Sequence, residues 1–176
     1  MTPEQATFLL NEIYLPQIRN EHETTRRVIA AIPADQCDWK PSPKCMSALE
    51  LAWHIVSAEQ FFINGIVAGK FAPGGKRPDS LKTPADVLQW DEETYANTVA
   101  KLATLQPEDL VRPVDFFGMM TFPAVQYAGL LSNHSIHHRG QLSSYLRPMG
   151  AKVPRIYGPS GDEPMPIPVQ AETASV

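Results

Sequence analysis

This 176-residue chain has no surplus of positive charge: 15 Lys and Arg stand against 19 Asp and Glu, for a net charge of −4. A protein that tracks a phosphate backbone presents a basic face. The nearest equivalent here is the sparse set Arg139, Arg147, Lys152 and Arg155, so nucleic acid is not an expected partner. No apolar run approaches the roughly 18 residues of a membrane span. The opening Met1-Thr2-Pro3-Glu4-Gln5 is polar and carries an acid, unlike a signal peptide. Cysteine is scarce as well. Cys37 and Cys45 lack C-x-x-C spacing and read as two reduced thiols of a cytoplasmic protein. There is no Gly-rich phosphate loop and no G-x-S-x-G elbow.

Proline, by contrast, is abundant, with 17 residues where a typical share is about 5%. An interior proline costs a helix about 3 kcal/mol, so the positions of these residues decide the fold. Most of them punctuate. Thr2-Pro3-Glu4-Gln5 and Thr83-Pro84-Ala85-Asp86 place a capping hydroxyl before proline at the first helical position, and Phe122-Pro123 opens a further segment. Ser47-Ala48-Leu49-Glu50 is a capping box without proline. Pro33, Gly69, Pro107 and Pro148 mark stops.

The expectation is an all-α four-helix bundle over residues 1–150, with helices at 3–32, 47–68, 84–105 and 123–147. Pro16 alone falls inside a helical pattern and predicts a kink or break near Tyr14–Leu15. The long connections permit crossover topologies. In the last of them, Val111–Asp115 and Met119–Phe122 form a potential hairpin around Phe117-Gly118. Residues 151–176 read as a proline-rich irregular tail, stiff enough to cover a site or a partner subunit.

Histidine interrupts the apolar stripes of two helices. Leu51, His54, Ile55 and Ala58 share one face of the second helix. On the fourth, Tyr127, Leu131, His134, His138, Gln141 and Tyr145 recur at spacings of three or four. Buried polar groups without partners each cost on the order of 1–3 kcal/mol, so this set needs a common explanation. A metal supplies one. His134 and His138 are one turn apart, so both rings can meet one ion, and His54 completes a three-nitrogen face. Three imidazoles suit zinc, nickel or another late first-row divalent ion, and leave a coordination position open. The plainer alternative is a packed bundle whose histidines hydrogen-bond and bind nothing.

Other residues have bland and functional readings side by side. His137 could share an ion with His134, but the stripe is better centred on His138. Glu50 could orient His54, although the cap on Ser47 explains it. Glu50 and His137 are the weak catalytic candidates. His22 reads as a satisfied core histidine, and Trp53 and Trp90 as packing residues.

Several stretches resemble the DinB family of helical-bundle proteins, a group related to bacillithiol- and mycothiol-dependent transferases. They are Trp39-Lys40-Pro41, the segment from Ser47 to Ile55, and His134-Ser135-Ile136-His137-His138-Arg139-Gly140-Gln141-Leu142. The tail from Val153 to Glu163 continues the match. The resemblance implies an up-down-down-up topology, a tendency to homodimers, and a divalent ion on His54, His134 and His138. It also implies a metal-dependent enzyme that activates a thiol or water toward a small-molecule substrate, as a thiol S-transferase does, with a low-molecular-weight thiol as co-substrate. Arg139 or Arg155 would then hold an anionic group. The alternative is a stress-related metal-binding protein without turnover.

Overall fold

A helix begins most readily where a side chain can satisfy the free N–H groups of its first turn. The computed structural model describes residues 1–165, and three of its helices begin with a reciprocal capping box. Thr2 and Gln5 cap α1 (Pro3–Phe8), Ser47 and Glu50 cap α3 (Ala48–Ala68), and Thr83 and Asp86 cap α4 (Pro84–Ala100). α1 does not stop before Pro16. It widens into a π-helical turn over Leu9–Tyr14 and continues as α2 (Leu15–Ala30). Proline has no N–H and its ring crowds the carbonyl four residues back. The wide turn relieves that crowding, with the Leu15 N–H reaching the Leu10 carbonyl.

The third connection differs from expectation in two places. Pro107 is not only a stop: it opens the short helix α5 (Pro107–Val111), where Asp109 Oδ2 accepts from the Gln106 N–H (3.0 Å). Pro123 does not start a helix. It ends β2 (Met120–Pro123), which pairs antiparallel with β1 (Pro113–Phe116) in the register Pro113 to Pro123. Pro123 lacks an N–H and suits a strand end as well as a helix start. The N–H groups of Ala124 and Val125 bond to the carbonyls of Arg112 and Leu110, carrying the connection on to α6 (Gln126–Leu146). The hairpin turn is left-handed at Phe117 (φ 55°) and Gly118 (φ 73°). The helix expected over 84–105 ends as α4 at Ala100 and tightens into a 3-10 turn over Lys101–Thr104.

The chain is mostly helical, with this one small two-stranded sheet among the described residues. α6 packs on α2 and α3, and α4 packs on the same two helices. Two apolar clusters make up the core. One holds Leu10, Ile18, Ile66, Val99 and Leu131; the other holds Val28, Leu51, Ile55, Val87 and Leu142. α3 and α4 therefore both run from the second cluster toward the first, so the connection over 69–83 must return along the whole molecule. No described helix is long and apolar enough to cross a membrane.

Between the clusters lies a polar layer contributed by all four long helices: Glu21, His22 and Thr25 from α2, His54 and Glu59 from α3, Asp91 from α4, and Ser132, His134, Ser135, His138 and Arg139 from α6. The tail is pinned beside it. Val153 and Ile156 pack on the second cluster, Glu163 pairs with Arg27, and Asp162 pairs with Arg147. The Tyr157 hydroxyl donates to Glu21 (2.8 Å). Positions 166–176, the rest of the tail expected to cover a site, lie outside the described residues.

Candidate metal centre

His54 faces α6 from the second turn of α3, and His134 and His138 face α3 from successive turns of α6. Their Nε2 atoms converge: His134 to His54 is 3.1 Å and His138 to His54 is 3.2 Å. Nitrogens bound at about 2.0–2.1 Å in a tetrahedral set lie roughly 3.3–3.4 Å apart. The observed spacing is thus close to what one shared ion requires. Hydrogen bonding within the trio does not satisfy it. His138 Nδ1 donates to Gln141 Oε1 (3.1 Å), which leaves its Nε2 as a bare acceptor. One N–H on His54 cannot serve both neighbouring Nε2 atoms, whereas a cation satisfies every lone pair in the set.

Electrostatics favour the neutral, ligating form. Burial holds all three imidazoles below the usual range, and their mutual repulsion adds to this at His54 and His134. His134 is pushed down to about 4. Gln141 is itself fixed by donating from Nε2 to the Tyr145 hydroxyl (3.1 Å). His134 Nδ1 is buried and has no partner among the described residues.

The trio opens on one side. His54 and His134 line a cleft of about 850 Å³ whose walls include Trp53, Trp90, Phe61 and Phe116. Trp53 and Trp90 do pack, edge to face with ring centroids 4.7 Å apart, but they also form part of this wall. A volume in this range suits a small organic molecule.

The remaining sequence candidates divide. Glu50 is committed to the Ser47 N–H (2.8 Å) and sits exposed, so it is a helix cap rather than a partner of His54. His137 is exposed beside His138, flanking the trio as its phase predicts. Arg139 is not free for an anion: it is fully buried, paired with Glu21, and bonded to the Tyr157 hydroxyl (2.6 Å). Arg155 is exposed on the tail, where its N–H bonds to Glu163, and it does not line the cleft. The described tail, 151–165, lies on the Glu21 side of α6 and contributes nothing to the cleft wall.

Sequence comparison places these elements in a known group. A DinB family model matches residues 6–170. The chain belongs to the DinB family. Among DinB relatives, the uncharacterized YjoA of Bacillus subtilis is 32% identical over 134 residues, covering 74% of this chain and 85% of its own. YrdA of the same organism, also uncharacterized, is 24% identical over 145 residues, with 81% and 85% covered. The crystal structure of YjoA superposes with a TM-score of 0.66 at 28% identity, over 82% of this chain and 96% of that one. A DinB-like protein from Bacillus cereus gives 0.71 at 26%, over 84% and 97%.

A second histidine-centred cluster lies in the same layer of this DinB chain. His22 Nδ1 meets Glu59 Oε2 at 2.7 Å, and its Nε2 lies 3.3 Å from Asp91 Oδ2, which also accepts from Arg26 (2.7 Å). With a carboxylate facing each ring nitrogen, His22 is the satisfied core histidine its position suggested. Burial raises both carboxyls above their usual range. Sequence reading missed Glu59 and Asp91. One signal was present: Glu59 is the only Asp, Glu, Lys or Arg between Glu50 and Lys70, within a mostly apolar run.

Proposed function

We propose that this DinB-family protein is a metal-dependent enzyme that joins a low-molecular-weight thiol, or water, to a small electrophile. His54, His134 and His138 would hold the divalent ion, with zinc or nickel favoured by an all-imidazole donor set. Such an ion lowers the pKa of a thiol or water that shares its open position. The chain's own residues supply the rest. Burial keeps the three imidazoles neutral, and Gln141 keeps the His138 proton on Nδ1. Trp53, Trp90 and Phe61 give the cleft an apolar aromatic wall. With Glu50 committed to its cap, His137 remains the candidate to take up a proton.

The observation that carries this reading is the convergence of three Nε2 atoms at the end of an open aromatic cleft. The same reading takes the four long helices as an up-down-down-up bundle over 1–150, supported by the common direction of α3 and α4. It takes the active form as a cytoplasmic homodimer, in keeping with two free cysteines and the family resemblance. The test uses untagged protein loaded with zinc or nickel and offered glutathione, bacillithiol, mycothiol or coenzyme A with a panel of electrophiles. Metal-dependent conjugation, lost in His54→Ala, is the expected result. Fully loaded protein that conjugates none of them would sink the transferase and leave metal binding without turnover.

A further inference from the structure

The cleft's lining is more selective than its volume. Along α3 it extends from Trp53 to Ala68, a length of about 22 Å at 1.5 Å per residue. The opposing wall is the returning connection, from Lys70 through Pro73-Gly74-Gly75 to Pro78. His54 and His134 stand beside the paired indoles of Trp53 and Trp90, and Phe61, Phe62 and Phe116 add further aromatic surface. Lys70 lies just past the far end of α3, and Lys76 lies on the connection.

Charge distinguishes this surface from the rest of the molecule. The chain carries a net −4, yet no Asp or Glu lines the cleft and two lysines do. Neither Lys70 nor Lys76 has a carboxylate within ion-pair distance among the described residues. Two exposed lysines without a carboxylate partner at the border of a trough of aromatic rings leave a gap for negative charge on an otherwise flat, apolar ligand. Stacking on the rings supplies most of the affinity in such a site. The exposed lysines supply direction and choice.

We propose that the cleft binds a small aromatic anion, its ring against Phe61 and Phe116 and its carboxylate toward Lys70 and Lys76. The reacting end of such a molecule then lies toward His54 and His134. The proposal rests on reading the cleft as the substrate site, but the binding itself needs no ion.

Calorimetric titration of metal-stripped protein with three matched probes tests it: naphthylacetate, the neutral naphthylacetamide and the cationic naphthylmethylamine. The carboxylate should bind about five- to tenfold more tightly than the amide, and the amine most weakly. The preference should shrink as salt rises. The double variant K70E/K76E, altered only at exposed positions, should invert the order. Equal binding of acid and amide, or a preference that survives K70E/K76E, overturns the proposal. So does carboxylate binding that appears only after metal is restored, which would assign the anion to the ion. Because the titration uses stripped protein, its failure leaves the histidine site standing. Failure of the histidine site, read as absence of bound metal, leaves the titration valid.

Discussion

His138 can present Nε2 to an ion because Gln141 takes its other proton. The Gln141 amide accepts from Nδ1 at 3.1 Å and is held in turn on Tyr145. Partners of this kind, one bond away from a metal ligand, commonly contribute ten- to a hundredfold in affinity. Gln141→Leu, half-buried and close in volume, should therefore keep the fold while weakening zinc binding by about that factor in a chelator competition. Unchanged affinity would show that packing alone orients the ring. Arg139, immediately after His138, teaches the opposite lesson. Sequence offers a free cation beside the site, but the structure closes it on Glu21 and Tyr157, and only the packing of α2 and the tail against α6 reveals those partners.

At the scale of elements, the helices were legible because their starts are written locally. The boxes Thr2/Gln5 and Ser47/Glu50 each lie within four residues and need no tertiary information. The histidine trio was legible for a similar reason, since a spacing of four on one helix fixes a common face. Glu21 and Asp91 were not, because an acid that is buried and paired looks in sequence like an acid on a wet surface. Pro123 was misplaced because a missing N–H fits a strand end as well as a helix start. One element-scale contact is open to test. A Cβ at Gly65 would enter the ring of Phe71, which belongs to the aromatic cluster with Phe61, Phe116 and Tyr127. Alanine gains about 1 kcal/mol of helix propensity over glycine, while overpacking costs about 1–3 kcal/mol. Gly65→Ala should be destabilised by urea titration and should disturb the Phe71 ring. A stabilised variant would mean that the ring moves aside freely.

At the scale of the whole molecule, the fold places the site. Because α3 and α4 run the same way, the connection over 69–83 must travel back along them, and its outward stretch becomes a wall of the cleft. The polar layer divides the core, so α3 and α6 meet at mid-height through imidazoles rather than leucines. That arrangement has a pH signature in metal-free protein. The three imidazoles titrate lower when folded than the ordinary value of 6.5, with His134 at about 4. Between those values the unfolded chain binds more protons, so their contribution is complete above about pH 6.5 and lost as pH falls toward 4. The raised carboxyls of Glu59 and Asp91 act in the opposite sense and remain the same in a histidine variant. His134→Asn should therefore lose less stability than the parent between pH 7 and pH 5, by urea titration at each pH.

The central claim is that His54, His134 and His138 together hold one divalent ion. Its most direct test is elemental analysis of untagged protein, beside the same protein carrying His54→Ala. About one equivalent of zinc or nickel per chain is expected in the parent, and a large loss in the variant. Less than about a tenth of an equivalent in the parent, unchanged in His54→Ala, would contradict it.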